Sequence, residues 1–345
     1  MPPTRLRLSF LLACLAFVSA GCSPRQVPPI SAPSAGPNTA TSLPPVQGTL
    51  KVALLTTGPV TDGGWNQAAY DGLLNIQKTL GADISKQENL KNAQFEDAFR
   101  DFASKGYNVI FAHGDEFADA AKKVASQYPK TVFVTTGGTL TAPNLAPIQF
   151  ATEQGAYLQG MEAALVSKTS KGGFVGGQNL PPVARAAQGF ANGAKAVNPN
   201  YTFQITYIDS WDNTSAAKAQ TDALLNAGAD TIAHNCDAAS AGMFQTAGPR
   251  PNVYTFGVNA DENKKAPNVL SSVFLDVPKA FTDVARDVKN GKFQGRPIPC
   301  GMKENDVRLI DNPALASAIP AVGKAKVRQA AQDIIAGKLH VVPTP

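Results

Sequence analysis

The sequence predicts an α/β protein with two lobes, each built on a parallel β-sheet that helices cover on both faces. From Thr49 onward, short apolar runs alternate with amphipathic helical stretches, an order that is typical of parallel sheets. The alternation occurs in two successive series, and glycines stand at the ends of the apolar runs, where a backbone turns tightly. Because ligands bind beyond the carboxyl ends of parallel strands, two facing sheets would form a binding cleft.

Length and composition agree with a folded protein of two domains. The chain has 345 residues, more than the roughly 250–300 at which a single core stops growing. It is 43% hydrophobic and 17% charged, as ordinary globular proteins are. Its formal net charge of +5 is spread thinly, without the basic run that tracks a nucleic-acid backbone, so we expect no nucleic-acid partner.

The first residues have the pattern of an export signal. Arg5 and Arg7 precede the apolar run "LSFLLACLAFVSA", which is too short for a permanent membrane span but matches a signal-peptide core. The small residues 19–21 before Cys22 resemble a bacterial lipobox, in which the cysteine is lipidated. We therefore expect residues 1–22 to be a lipoprotein signal; an ordinary cleaved signal with an incidental cysteine is the alternative. Both interpretations imply export.

A tether is expected to follow the signal. Residues 23–48 are mostly Pro, Ser, Ala and Thr, with almost no charge and no periodic apolar face. Such a segment buries too little apolar surface to fold, so it would hold the globular body away from the membrane.

The lobes and their boundaries follow from the two series. Residues 49–150 form the predicted first lobe, which begins with "LKVALL" and a helix near 65–80 and closes with "TVFVTTG". Residues 151–269 form the second lobe, with the apolar runs "GGFVGG", "TFQITYID", "TIAHNC" and "VYTFGVN". We expect residues 270–310 to return to the first lobe, with a hairpin-like piece around "GMKENDVRLI", and residues 311–345 to form a C-terminal helix and tail.

The cysteines and histidines do not have the spacing that is typical of a metal site. Cys236 and Cys300 are the cysteines of the expected mature body, and the oxidising compartment permits a disulfide between them without showing one. His113, His234 and His340 are isolated in the sequence, and no Cys/His spacing suggests zinc. We therefore expect no metal and leave the disulfide open.

The segment "TGPVTDGGWNQAAYDGL", residues 57–73, is the first candidate ligand site. Asp62 stands where a helix begins, so it serves either as a helix cap or as an acceptor for ligand hydroxyl or amine groups. Trp65 favours the ligand, because an indole at a loop tip is costly to leave in water and often stacks on a flat partner. Stacking against a base is worth about 1–3 kcal/mol.

This segment resembles the D-x-S-F-N opening of the basic membrane protein family, the purine-nucleoside-receptor-like substrate-binding lipoproteins of ABC importers. Further stretches match the family in the same order over about residues 50–290. They are "HGDEFADAAKKVASQYPKTVFV", "VGGQNLPPVARAAQGFANGAKAVNP", "SWDNTSAAKAQTDALLNAGADTIAHNCD", "GVNADEN" and "VLSSVFLDV". The resemblance implies two Rossmann-like lobes joined by a hinge, of the type I periplasmic binding protein kind, that close on a nucleoside, nucleobase or similar heterocycle.

Carried over residue by residue, the resemblance implies ligand contacts at strand ends in both lobes. They are Asp62, Trp65, Asn66 and Asp115 in the first lobe, and Trp211, Asn235, Asp237, Asn259 and Asp261 in the second. Phe190, at helical spacing, is expected in the core. The chain departs from the family at Leu275, where many nucleoside-binding members have lysine, and at Asn259, which replaces an acid.

The resemblance also implies partners and a location. Permease and ATPase subunits would receive the ligand, and acyl chains on Cys22 would hold a monomer to the extracytoplasmic face of a bacterial membrane, in the periplasm of a diderm. No cofactor is expected.

Two alternatives remain at this point. An enzyme could use His113 and Asp115 as acid and base, but the chain has no G-x-S-x-G elbow and no Walker loop, so we expect no catalysis. An extracytoplasmic sensor that is not coupled to import would have the same residues.

Overall fold

The computed structural model describes residues 43–342. The predicted signal peptide, Cys22 and most of the predicted tether lie outside the described residues. The last part of that tether, from Leu43, lies against the first lobe instead of extending away from it. Leu43 and Val46 pack on the first-lobe core, and the Val46 amide donates to the Lys289 carbonyl at 3.0 Å, because these apolar side chains find a buried surface there. No described helix is long and apolar enough to cross a membrane.

Strands and helices alternate along most of the described chain. In chain order they are β1 (Lys51–Thr56), α1 (Trp65–Leu80), β2 (Asp83–Gln87), α2 (Phe95–Ser104), β3 (Val109–His113), α3 (Ala118–Ala125), β4 (Val132–Thr136), β5 (Leu145–Phe150), α4 (Thr152–Val166), β6 (Lys171–Gly176), α5 (Pro181–Val197), β7 (Thr202–Tyr207), α6 (Thr214–Asn226), β8 (Thr231–Asn235), α7 (Ser240–Ala247), β9 (Tyr254–Asn259), β10 (Val269–Leu275), α8 (Val277–Lys289), β11 (Ile298–Cys300), β12 (Val307–Asp311) and α9 (Ala321–Ile335).

The strands form two sheets of six. The first has the order β11-β5-β4-β3-β1-β2 and is parallel throughout; the second has the order β12-β10-β9-β8-β6-β7, with only β12 antiparallel. The interior strands β1, β3 and β4 are buried along nearly all their length, as expected of strands covered on both faces. The predicted class, two α/β lobes with parallel sheets, is confirmed.

Three segments cross between the sheets: the β5–α4 junction, the β10–α8 junction and the β11–β12 connection. They lie side by side, since the Ala151 amide donates to the Cys300 carbonyl at 3.0 Å and the Asp276 amide donates to the Asp306 carbonyl at 2.8 Å. Together they form the hinge.

The path of residues 270–310 differs from the expectation. β10 belongs to the second sheet, beside β9, and only α8 and β11 return to the first lobe. β10 is apolar and almost wholly buried, so it occupies an interior position between β9 and β12. The hairpin expected around "GMKENDVRLI" is wrong as well, because β11 and β12 lie in different sheets and their connection is a crossing segment.

Helix packing explains Gly160 and the position of Phe190. A Cβ at Gly160 would lie well within 3.0 Å of the Phe190 carbonyl oxygen, so glycine lets α4 and α5 approach closely. The Phe190 side chain is buried in the second-lobe core, as expected. α9 packs on α4, with Val327 and Ile334 against Leu158.

Cys236 and Cys300 are both free thiols. Cys236 lies in an apolar cluster of the second lobe and Cys300 in the core of the first, so a disulfide between them is absent from the structure. Burial raises the pKa of both thiols.

Candidate functional site

The carboxyl ends of the two sheets face each other. The Trp65 amide, at the start of α1 after β1, donates to Asp237 Oδ1 at 3.1 Å, and Asp237 follows β8 in the other lobe. A Cβ at Gly64 would lie 2.5 Å from the same oxygen, so the glycine allows the Asp237 carboxylate to approach the helix start. We call the region around this contact the interlobe site.

Asp62 holds the start of α1. Its Oδ1 accepts hydrogen bonds from the Gly64 and Gln67 amides, at 2.9 and 3.0 Å. Its Oδ2 accepts from the Asn66 amide at 2.9 Å and from Asn66 Nδ2 at 2.8 Å. Each carboxylate oxygen thus has two donors, and this arrangement matches the capping role rather than a free ligand acceptor.

Trp65 stacks on His113. The two ring centroids are 3.9 Å apart with an interplanar angle of 26°, and the indole is half-buried. Phe281 of α8 contacts the imidazole edge on, at 5.6 Å between centroids. The proposed stacking residue therefore lies where the lobes meet, with His113 as its neighbour in the first lobe.

His113 is held as a neutral imidazole. It is fully buried, and its Nδ1 lies 2.9 Å from the Thr136 hydroxyl. Burial lowers the pKa of His113 to about 3, and the backbone of Trp65 opposes that shift only in part.

Two buried polar atoms beside Trp65 have no hydrogen-bond partner in the part of the chain that the structure describes. They are Asn66 Oδ1 and His113 Nε2. Asn66 is 5% exposed, and its amide orientation is set by the bond from Nδ2 to Asp62. Because an unpaired buried polar group costs about 1–3 kcal/mol, both atoms are suited to contact a ligand or water.

Asp115 follows β3 and is half-buried. It adjoins the turn at Gly137 and Gly138, whose φ angles of +93° and +80° favour glycine; a Cβ at Gly138 would lie 2.5 Å from Asp115 Oδ1. Burial, together with the nearby charge of Asp119, raises the pKa of the Asp115 carboxyl.

Asp237 is a partly buried acid on the second-lobe side of the interlobe site. Its backbone is left-handed, with φ of +51°. Burial, and then the nearby negative charge of Asp62, raise the pKa of Asp237 to about 7, although the Trp65 amide favours the ionised form. The carboxylates of Asp62 and Asp237 therefore lie near each other at the interlobe site.

Trp211 and Asn235 lie at the same end of the second sheet. The Trp211 indole packs over Gly177 after β6, where a Cβ would lie within 3.0 Å of the ring. The Trp211 carbonyl accepts from the Ala239 amide at 3.0 Å. Asn235 ends β8 and is partly buried, one residue before Cys236.

Asn259 and Asp261 follow β9. Asn259 is buried, with φ of +69°. Asp261 is exposed, and its Oδ1 accepts from the Asn263 amide at 3.1 Å, a local turn contact. Among the described residues, Asp261 makes no hydrogen bond with the residues of the interlobe contact.

Sequence reasoning missed two histidine contacts. His113 is not isolated, because it supports Trp65. His234 is paired with Glu262: its Nε2 lies 2.8 Å from Glu262 Oε2, which also accepts from the Val258 amide at 3.0 Å. The pair is buried and joins the ends of β8 and β9. The motifs "AHGDEF", "HNC" and "GVNADEN" contain these residues, but no spacing in the sequence brings them together.

No group of three or more metal-binding side chains occurs among residues 43–342. The site consists instead of an aromatic stack, two unpartnered polar atoms and carboxylates from both lobes.

Two lobes joined by three crossing segments, with polar and aromatic residues where their sheets face each other, define a two-lobed solute-binding protein. The chain belongs to the family of PnrA-like ABC transporter substrate-binding proteins, whose family model matches residues 49–336. This confirms the resemblance to the basic membrane proteins.

Individual relatives agree with this family. The chain is 30% identical over 247 residues to the transcriptional activator protein med of Bacillus subtilis, a match that covers 71% of this chain and 77% of the relative. It is 28% identical over 319 residues to an ABC transporter nucleoside-binding protein of Lactococcus lactis, covering 85% and 89%. An ABC transporter solute-binding protein from Aeropyrum pernix has the same fold, with a TM-score of 0.78 and 21% identity over 86% of this chain and 94% of that one.

Proposed function

We propose that this chain is the exported, lipid-anchored substrate-binding protein of an ABC importer, and that it binds a nucleoside, nucleobase or similar small heterocycle between its lobes. The observation that carries the proposal is the half-buried Trp65, which lies at the contact between the lobes, beside two polar atoms that find no partner among residues 43–342. The similarity to a nucleoside-binding protein supports the same ligand class.

Recognition would combine stacking with hydrogen bonds from both lobes. A heterocycle against the indole gains about 1–3 kcal/mol. Asn66 and Asp115 would contact the ligand from the first lobe, and Asp237, Asn235 and the other second-lobe residues named above would contact it from the opposite side. Contacts from both lobes favour the closed state, so binding would close the hinge.

The two departures from the nucleoside-binding pattern restrict the ligand contacts. Leu275 is buried in β10 and paired with Val307 of β12, so this position offers no cation to a ribose hydroxyl. Asn259 offers an amide where an acid is common. Fewer charged groups would therefore contact the ribose, and contacts with the base would contribute a larger share of the binding energy.

Export and anchoring complete the proposal. Acyl chains on Cys22 would hold the protein firmly to the outer face of the membrane, since each buried CH₂ contributes about 0.8 kcal/mol. The monomer would deliver its ligand to permease and ATPase subunits and would leave it chemically unchanged.

Calorimetric titration tests the ligand class. Adenosine, inosine, guanosine and uridine are titrated into the exported protein, with D-ribose as the matched control that lacks a base. We expect saturable binding of at least one nucleoside and none of ribose. Trp65→Ala should weaken that binding about 10- to 100-fold, and Trp65→Phe should retain most of it. Ribose binding without nucleoside binding would contradict the proposal.

A second candidate, a ligand-sensing role that is not coupled to import, is favoured by one observation. The relative from Bacillus subtilis is named a transcriptional activator protein. Deletion of the gene distinguishes the two, because uptake of the labelled ligand should fall for an importer component and stay unchanged for a sensor.

A further inference from the structure

We propose that His234 and Glu262 are positioning residues for the second-lobe half of the interlobe site: their side chains bridge a split in the second sheet and thereby hold Asp237 against the start of α1. Neither His234 nor Glu262 is among the ligand contacts that the sequence predicts. The effect on ligand affinity rests on the proposed function, whereas the position of Asp237 can be measured without any ligand.

The second sheet divides at its carboxyl edge, between β8 and β9. The parallel ladder pairs residues 231–233 of β8 with residues 254–256 of β9, and in the part of the chain that the structure describes no further pair follows. Beyond that point the end of β8 stays paired with β6, and the end of β9 stays paired with β10. The predicted ligand contacts after β8 and those after β9 therefore lie on opposite sides of the split.

One buried pair of side chains bridges this split. His234 Nε2 lies 2.8 Å from Glu262 Oε2, and the same oxygen accepts the Val258 amide at 3.0 Å. Because Oε2 already accepts from an amide, it acts as an acceptor here too, and the imidazole Nε2 carries the hydrogen. His234 is 4% exposed and Glu262 is 7% exposed, so little water competes for this bond. We call the two side chains the His234–Glu262 bridge.

Each half of the bridge is held by its own half of the sheet. On the β8 side, Phe244 of α7 contacts the imidazole edge on, at 5.3 Å between ring centroids, and Cys236 Sγ lies 3.9 Å from His234 Nδ1. On the β9 side, the Glu262 amide donates to the hydroxyl of Ser272 in β10 at 3.0 Å. The bridge therefore fixes the distance between the two strand ends.

The bridge ends next to two residues with left-handed backbone. Asp237 follows Cys236 and has φ of +51°, and Asn259 follows Val258 and has φ of +69°. A non-glycine residue keeps this conformation only where neighbouring contacts hold it. Because Cys236 and Val258 both contact the bridge, the bridge supplies such contacts. Asp237 Oδ1 is thereby placed 3.1 Å from the Trp65 amide nitrogen of the other lobe.

The bridge also affects the charge of Asp237. Burial, and then the charge of Asp62, raise the pKa of Asp237 to about 7. The charge of Glu262 adds to this shift, and His234 opposes it. A change in the bridge should therefore alter both the position and the titration of Asp237, whereas a residue that only stabilises the lobe would alter neither.

The pH dependence of the Trp65 amide resonance in ¹⁵N-labelled protein tests the position of Asp237 without a ligand. In the unaltered protein this resonance should shift with a midpoint near pH 7, because Asp237 Oδ1 accepts the amide hydrogen. His234→Phe keeps an aromatic ring of similar size but removes the Nε2–H donor, so the shift should largely disappear. An unchanged shift and midpoint in His234→Phe would overturn the inference.

Two conservative variants separate the bridge from a general effect on the lobe. His234→Gln can still donate to Glu262 through its side-chain amide, so it should restore the Trp65 shift that His234→Phe loses. Glu262→Gln keeps an acceptor for the Val258 amide but removes the negative charge, so the shift should remain and its midpoint should move to lower pH. No restoration by His234→Gln, or an unchanged midpoint in Glu262→Gln, would contradict the bridge.

Calorimetry connects the bridge to ligand binding. For the nucleoside that binds the unaltered protein most tightly, His234→Phe should lose about 10-fold or more in affinity, and His234→Gln should lose less than about threefold. If no nucleoside binds the unaltered protein, the proposed function fails, and the Trp65 amide shift still decides the inference.

Tyr201→Phe is the matched control for the calorimetry. It also removes a buried hydrogen bond of the second lobe, the one to Thr231 at the opposite end of β8, and it should bind the nucleoside as the unaltered protein does. An equal loss of affinity in Tyr201→Phe and His234→Phe would assign the loss to general destabilisation of the lobe and would overturn the inference.

Discussion

Substitution of Asp237 by Asn should stabilise the protein most at alkaline pH, and the gain should disappear as the pH falls to about 4. The Asp237 carboxylate is buried at the interlobe site near the carboxylate of Asp62, and these two causes raise the pKa of Asp237 from 3.8 to about 7. The asparagine has no charge to bury, yet its Oδ1 can still accept the hydrogen bond that the Trp65 amide makes at 3.1 Å.

The sign and size of the effect follow from proton linkage. Between pH 4 and 7 the native state binds the Asp237 proton more tightly than the unfolded state, so the wild-type protein loses stability as the pH rises through this window. One pKa unit corresponds to about 1.4 kcal/mol, so a pKa raised from 3.8 to about 7 means that ionisation of Asp237 costs the wild type at most about 4 kcal/mol of stability. Partial access of water between the lobes and the weaker neutral hydrogen bond reduce the expected gain to about 1–3 kcal/mol.

Urea unfolding at pH 5.0 and 8.5 measures this gain. Asp237→Asn should exceed the wild type in free energy of unfolding at pH 8.5, and its gain should be less than half as large at pH 5.0, because that pH lies early in the window between the unfolded-state and native-state pKa values. Asp287→Asn is a matched change at an exposed carboxylate on α8, and its free energy of unfolding should equal that of the wild type at both pH values. The reasoning is refuted if Asp237→Asn is no more stable than the wild type at pH 8.5, or if its gain is the same at both pH values.

Three further predictions concern packing, thiols and a buried acid. Gly160→Ala should cost about 3 kcal/mol in urea unfolding, because its Cβ would meet the Phe190 carbonyl and push α4 from α5; an unchanged midpoint would contradict this packing. Cys236 and Cys300 should both be alkylated after unfolding without reductant, as peptide mapping can show, whereas a disulfide would protect both. Burial raises the pKa of Glu162 to about 8, so Glu162→Gln should gain stability over the wild type at pH 9 but not at pH 4; a gain independent of pH would refute this cause.

Periodic apolar runs predicted most of the fold, and the misses have physical causes. β2, with the sequence "DISKQ", was not predicted because it is a polar edge strand with no alternation to mark it. β10 was assigned to the wrong lobe, since an apolar run shows that a strand is buried but not which sheet buries it. The residues of β11 and β12 are close in sequence, which suggested a hairpin. Their connection crosses the hinge instead, so the two strands lie in different sheets.

The site was predictable where one segment forms it. Residues 57–73 contain the helix cap at Asp62, which local chemistry predicted and the structure shows, and the indole of Trp65, whose predicted stacking on a ligand stays a prediction. The support from His113 and the contact with Asp237 depend on residues 48 and 172 positions from Trp65, which only the two sheets bring together. No local pattern carries that information.

Tryptophan emission tests most directly whether the ligand stacks on Trp65. The chain has two tryptophans, so Trp211→Phe leaves Trp65 as the only emitter. In that variant, a nucleoside that binds in calorimetry should change the emission saturably, with the affinity that calorimetry gives for the same variant. Calorimetric binding of that nucleoside to the variant with no change in Trp65 emission would contradict the account.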